Sequence, residues 1–171
     1  MSAAGPAGAG GRLTDREWLE ATVALSRRSP PSRTAFSVGA LVVDADGAVL
    51  AEGYSRPYDP HDHAEEIALA ALGEGWRAPA GTTIYSSLEP CSARASRPRT
   101  CTDLILGAQI GRVVFAWREP TIFVEGRGAE LLRAAGVEVV ELPELAAQVR
   151  EVNRHLLARV TERVRDEGGG G

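Results

Sequence analysis

The sequence predicts an α/β protein, a three-layer α/β/α sandwich built on a five-stranded mixed sheet. Two observations carry this. Along residues 82–142, β-rich runs alternate with short helical patterns, and strands joined through helices must run parallel. Earlier, "SVGALVVDADGAVLAEGYS" holds two β-rich runs that meet at Asp46-Gly47, a strong signal for a tight antiparallel hairpin.

Each element follows from local chemistry. Thr14 opens "TDRE", a capping box closed by Glu17, and Trp18, Ala21, Thr22 and Leu25 recur at helical spacing, so a helix is expected over 14–28. "SPPSR" stops it, because proline cannot continue a helical ladder. After the hairpin, a second helix is expected from His63 to Leu72, ended by Gly73. "TTIYSSL" reads as a strand, "CTDLILGAQIG" as a helix with glycine stops, and "RVVFAW" as a strand. "GAELLRAAG" reads as a short helix closed by Gly136, and "VEVVEL" as the last strand. Pro143 suits the first turn of a final helix. Leu145, Val149, Val152, Leu156 and Val160 would form its buried stripe. Loops that precede helices should gather at the carboxyl edge of the parallel strands, where α/β proteins usually bind ligands.

Composition narrows the class. The chain has 171 residues, 44% apolar and 25% charged, which fits one globular domain over 12–165. The Ala/Gly/Pro-rich residues 1–11 and the closing 166–171 bury too little side chain to offset ordering and are expected as flexible tails. No window reaches the apolar length of a membrane span, and "MSAAGPAGAGGRL" has neither a basic nor an apolar stretch of the kind an export signal needs. The net charge of −4 and the absence of a Lys/Arg block disfavour nucleic acid as a partner. Two cysteines are too few for a disulfide framework. A cytoplasmic protein with reduced thiols is the expectation.

The chemistry-bearing residues form two groups. "DPHDHAEEIALA" places His61 and His63 beside Glu65 and Glu66, and "SSLEPCSARASRPRTC" holds both cysteines, Cys91 and Cys101. A catalytic zinc site uses three protein ligands and leaves one position for water. His63, Cys91 and Cys101 offer that number: His63 and Cys101 open predicted helices, and Cys91 follows strand 82–88 and Pro90, while helix N-termini favour thiolate over thiol. Glu65, two residues after His63, could then carry protons without ligating. Taken singly, each has an ordinary reading: a solvated helix-start histidine, acids that suit a helix N-terminus, cysteines that behave as small buried hydrophobes. His63-Ala64-Glu65 and Pro90-Cys91 match the H-x-E…P-C signature of zinc deaminases. The second cysteine does not, since nine residues rather than two separate Cys91 from Cys101.

Over residues 14–142, "HAEEIALAAL", "TTIYSSLEPCSARASRPRTCTDLILGAQIGRVVFAW" and "EGRGAELLRAAGVEVV" resemble the deaminase domain of riboflavin-pathway pyrimidine deaminases, within the wider cytidine-deaminase-like superfamily. That family carries a long cysteine loop, a Gly-x-Gly segment, here Gly126-Arg127-Gly128, and a Leu-x-x-Ala-Gly segment, here Leu132 to Gly136. The resemblance implies strand order 2-1-3-4-5, a Zn2+ ion held by His63, Cys91 and Cys101, Glu65 as proton shuttle, and a homodimer or higher homo-oligomer. It implies deamination of a pyrimidine carrying a ribosylamino phosphate.

The chain departs from the family where substrate is read. Ala35 and Phe36, before Ser37-Val38-Gly39, stand where the family has asparagine and proline ahead of Val-x-Gly. Ser55 replaces a histidine after the second strand. Glu119-Pro120-Thr121-Ile122 replaces Asp-Pro-Asn-Pro, and the cysteine loop carries Arg94, Arg97 and Arg99. Phe36 and Ser37 are candidate substrate contacts, with Phe36 stacking on a base or else sitting in the core. Arg94 and Arg97 are candidates for gripping phosphate, or else line a solvated loop. Glu119 is a candidate for a base or sugar hydroxyl, or else an exposed acid. His61 and His155 are expected outside the ligand set. Deamination of another cytosine-type or guanine-type base or nucleoside is the alternative substrate reading. Further from it stand a nucleic-acid-editing deaminase, disfavoured by the acidic balance and by only three each of Trp, Tyr and Phe, and a silent zinc-binding module.

Overall fold

The computed structural model describes residues 11–118 and 127–159. Most of both expected tails, Glu119 and Val160 lie outside these residues.

The first helix, α1 (Asp15–Ser26), starts at the expected capping box: Thr14 accepts from the Glu17 amide, and the Glu17 carboxylate accepts from the Thr14 amide at 2.7 Å. The hairpin forms as β1 (Gly39–Val43) and β2 (Val49–Tyr54), turned through Gly47 at φ +86°. Then follow α2 (Ala64–Ala71), β3 (Thr83–Leu88), α3 (Cys101–Gly107), β4 (Arg112–Trp117), α4 (Gly128–Ala134), β5 (Glu138–Glu141) and α5 (Ala146–Val152). The sheet order is β2-β1-β3-β4-β5. β1 pairs antiparallel with both β2 and β3, and the β3–β4 and β4–β5 pairs are parallel.

Alternation along the strands builds two cores. Ala40, Val42, Ile84 and Val113 face Ala68 of α2, Ile105 of α3 and Leu132 of α4. Leu41, Val43, Tyr85 and Val114 face Leu19 and Val23 of α1 and Val149 of α5. β1 and β3 are buried along their whole length; β1 reads accordingly as a continuous apolar run, whereas β3 carries Thr83, Ser86 and Ser87 among its buried residues. At the edge of the sheet opposite the helix-start loops, Asp15 receives both terminal nitrogens of Arg112 at 2.8 and 2.7 Å and the Tyr85 hydroxyl at 2.8 Å. This ties α1 to β3 and β4. Among the described residues, no helix is long and apolar enough to cross a membrane.

The final helix differs from expectation. Pro143–Leu145 forms a 3-10 turn, α5 ends at Val152, and helix resumes over 154–159. The break is at buried Asn153, whose Nδ2 donates to the Val149 carbonyl at 3.0 Å and to the Ser37 carbonyl at 3.1 Å, while its Oδ1 accepts from the Ser37 amide at 2.7 Å. A side chain that bonds local backbone competes with the helical ladder. Here it fastens the entry to β1.

Candidate metal centre

Two strand-to-helix passages, β2 to α2 and β3 to α3, meet at the carboxyl edge of β2 and β3. His63 is the N-cap of α2, Cys91 follows β3 after Glu89 and Pro90, and Cys101 is the first residue of α3. Close packing sets their positions. A Cβ added at Gly53 of β2 would collide with the Ala64 carbonyl oxygen, so only glycine lets the start of α2 lie this near the sheet. A Cβ at Gly128 would likewise strike the Pro90 carbonyl, beside Cys91. Thr102 fixes the cysteine loop from the other side, its amide and hydroxyl both donating to the Cys91 carbonyl, at 3.1 and 2.9 Å.

The result is a compact cluster. One ligand atom from each of His63, Cys91 and Cys101 lies within 4.8 Å of the others. Cys101 Sγ is 3.4 Å from His63 Nδ1, and the Cys101 amide donates to Cys91 Sγ at 3.2 Å. Glu65 Oε2 lies 3.5 Å from Cys101 Sγ. Glu65 Oε1 accepts a hydrogen bond from Ser86 Oγ at 2.7 Å. Both cysteines are free of disulfide bonding and buried.

The electrostatics suit metal ligation. A side-chain hydrogen bond from the Cys101 thiol holds the Cys91 thiol far below its usual range, with His63 and the Cys101 amide adding to the effect and burial opposing it. The same hydrogen bond, with burial, pushes Cys101 up, so the pair shares its proton unequally. Burial opposes charge on His63, yet the hydrogen bond and charge of Cys91, together with Glu65, outweigh it and raise its pKa. Burial also pushes the Glu65 carboxyl up; the charge of His63 pulls it back and Cys91 adds to the rise. An imidazole and two sulfurs, close together and with thiolate accessible, fit a cation that favours mixed N/S donors such as zinc. Three protein donors among the described residues, beside an open space, match the donor count of a catalytic site rather than that of a structural one.

That space is a cavity of ≈ 220 Å³ lined by, among others, Phe36, Arg56, His63, Glu65, Cys91 and Arg94. Phe36 both lines it and belongs to the core, edge-on to Trp117 with ring centroids 5.6 Å apart. Ser37 is not among the lining residues; its backbone is held by Asn153 and its hydroxyl accepts from Arg56 at 2.9 Å. Arg94 is buried and already engaged, with Glu66 at 3.3 Å and the His61 carbonyl at 2.6 Å. Arg97 lies off the cavity and meets Asp62 at 3.2 Å, Asp59 at 3.4 Å and Glu66 at 3.6 Å. Both arginines therefore tie the cysteine loop to the start of α2. His61 lies on the cavity rim, and His155 sits 3.0 Å from the Ser32 carbonyl oxygen, remote from the cluster.

Three residues that the sequence did not single out belong to this region. Ser86 sits among apolar neighbours on β3, and its period-two placement with Ile84 and Leu88 on the face toward α2 was a usable signal. Arg56 and Asp62 had none, since they lie in the irregular segment before α2.

Comparison with known proteins adds an independent line. Residues 13–117 match the family model for the cytidine and deoxycytidylate deaminase zinc-binding region. The chain is 39% identical over 118 residues to the diaminohydroxyphosphoribosylamino-pyrimidine deaminase of Schizosaccharomyces pombe, covering 68% of this chain and 29% of that protein. It is similar to the crystal structure of a Thermotoga maritima diaminohydroxyphosphoribosylaminopyrimidine deaminase/5-amino-6-(5-phosphoribosylamino)uracil reductase, with a TM-score of 0.74 and 33% identity, covering 87% of this chain and 42% of the other. An Aspergillus oryzae Rib2 deaminase structure aligns with a TM-score of 0.71 and 25% identity, covering 81% of this chain and 90% of the other. The chain thus spans less than half of the first two relatives.

Proposed function

The chain belongs to the cytidine and deoxycytidylate deaminase zinc-binding family, and from that premise we propose that it is a zinc-dependent hydrolytic deaminase of an aminopyrimidine. The finer reading is the diaminopyrimidine ribosylamino phosphate named for its relatives. The observation that carries it is the convergence of His63, Cys91 and Cys101 beside Glu65, with His63, Glu65 and Cys91 lining one cavity. His63, Cys91 and Cys101 would hold the zinc. When bound, zinc supplies Lewis acidity that brings the ionisation of water near neutral pH.

The chain's own residues account for the proton traffic. Ser86 occupies Glu65 Oε1 and leaves Oε2 toward the cluster. Glu65 takes a proton from the attacking water and gives it to the ring nitrogen beside the amino-bearing carbon. Water oxygen bonds to that carbon, a second proton passes to the amino group, and the C–N bond breaks. Ammonia leaves and a ring carbonyl remains. One positioned carboxyl serves both transfers. A cytoplasmic setting with reduced thiols and a homo-oligomeric assembly accompany this reading.

The test is metal content and ammonia release. The purified chain should carry about one zinc per chain and release ammonia from the ribosylamino phosphate within a panel of aminopyrimidines and aminopurines, and chelation should abolish the release. A zinc-loaded protein that releases no ammonia from any of them would refute the proposal.

A further inference from the structure

The cavity wall contains a buried cation that no acid among the described residues neutralises. Arg56 is 7% exposed and lines the cavity. Among the described residues its side-chain partners are all uncharged oxygens: the Phe36 carbonyl at 2.7 Å from one terminal nitrogen, and the Pro30 carbonyl at 2.8 Å and Ser37 Oγ at 2.9 Å from the other. Its Nε is buried with no hydrogen-bond partner. A buried charge normally acquires a counter-charge, and a buried donor normally acquires an acceptor. Arg56 also holds φ +60°, a left-handed conformation that non-glycine residues adopt rarely and that clusters at functional sites.

The neighbouring charges sharpen the contrast. Arg94, whose Nε is likewise buried without a hydrogen-bond partner, and Arg97 have their charge answered by Glu66, Asp62 and Asp59, so what sets Arg56 apart is the missing counter-charge. The cavity acid Asp62 is answered by Arg97 and by the amides of Tyr58 and Asp59. Glu89 accepts from the Ala129 amide at 3.0 Å and lies 3.8 Å from Arg118. Arg56 is the guanidinium in this wall left with its charge uncompensated by a described residue.

We propose that the Arg56 guanidinium receives an oxyanion carried by the substrate, a phosphate ester or a carboxylate. The identity of the molecule bearing the oxyanion rests on the deaminase reading; the binding itself does not. Arg94 and Arg97, the arginines that the sequence nominates for this task, instead brace the cysteine loop.

The experiment measures equilibrium binding of inorganic phosphate and of acetate to the zinc-loaded full chain and to its Arg56→Gln, Arg56→Lys and Arg16→Gln variants. Steady-state kinetics follow, on a phosphorylated aminopyrimidine ribosylamine and its dephosphorylated form. Arg56→Gln should weaken binding of the recognised anion about 30-fold, the scale of one charge-assisted hydrogen bond. It should raise KM by a similar factor for the phosphorylated substrate alone if phosphate is the recognised anion. Arg56→Lys should recover most of the affinity, and Arg16→Gln on exposed α1 should match wild type. Binding of phosphate but not acetate would identify a phosphate ester, and the reverse a carboxylate. Equal anion affinity in wild type and Arg56→Gln, or no anion binding by wild type, overturns the proposal. So does a folded Arg56→Lys that binds no better than Arg56→Gln. Intact Arg56-dependent binding without ammonia release would instead defeat the deaminase reading and leave this one standing.

Discussion

Ser86 Oγ donates a 2.7 Å hydrogen bond to Glu65 Oε1, and both side chains are buried. The bond joins the centre of the sheet to the first turn of α2. It spends one carboxylate oxygen and leaves Oε2, 3.5 Å from Cys101 Sγ, facing the cluster. A carboxylate free to rotate would place that oxygen correctly only part of the time, so the hydroxyl is a positioning group for the proposed proton carrier.

Removing that hydroxyl should therefore slow turnover without weakening substrate binding. Ser86→Ala is expected to lower kcat about tenfold, the worth of one ordinary buried hydrogen bond, with KM and zinc content near wild type. Ser86→Thr and Ser86→Val have nearly the same shape and differ in the hydroxyl. Thr should outperform Val in kcat, and equal kcat for the two would show that orientation by Ser86 does not matter.

Glu65 and the cluster residues should separate into two phenotypes. Glu65→Gln should keep its zinc and lose about a thousandfold in turnover, within the range for a general acid–base group. His63→Ala, Cys91→Ser and Cys101→Ser should lose the metal itself, read by elemental analysis. Glu65→Gln with native turnover, or Cys101→Ser with full zinc, would contradict the assigned roles.

Asp15 gives a stability prediction away from the site. Hydrogen bonds from Arg112 hold its carboxyl below the ordinary aspartate value of 3.8, with burial opposing and Tyr85 assisting. A lowered folded pKa contributes stability above the unfolded value, and that contribution is lost as pH falls through the folded value. Asp15→Asn should cost about 1–2 kcal/mol near neutral pH. The gap from wild type should shrink in acid below the ordinary aspartate range. Urea unfolding across pH measures this, and a gap independent of pH would remove Asp15 as its source.

Gly53→Ala should act through the approach of α2 to β2. The added Cβ meets the Ala64 carbonyl and the Ala68 amide, both rigid backbone, so α2 must shift and carry His63 with it. Reduced zinc affinity and a Tm lower by several degrees are expected, with about 1–3 kcal/mol of overpacking as the cause. A variant with native Tm and native zinc affinity would mean that the helix start has room to spare.

Much of this molecule was legible before any coordinates. The Thr14–Glu17 capping box, the Asp46-Gly47 turn and the glycine stops at Gly73 and Gly136 are local signals, decided within a few residues by dihedral preference and hydrogen-bonding reach. The sheet order and the nomination of His63, Cys91, Cys101 and Glu65 came from resemblance together with donor chemistry. Asn153 escaped notice because its partner, Ser37, is 116 residues away. An asparagine in a helical pattern looks like a neutral surface residue until that partner is known.

By itself, then, the sequence determined which elements form, in what order, and which side chains have the chemistry to bind a metal and move a proton. Only the tertiary structure decided which charges are spent. Arg94 and Arg97 find acids 28 and 35 residues distant, while Arg56 finds only neutral oxygens. The reason is physical: a residue's type sets the charge it carries, but how much of that charge is cancelled depends on through-space distance and burial. Both are properties of the packed chain, and periodicity along the sequence does not encode them.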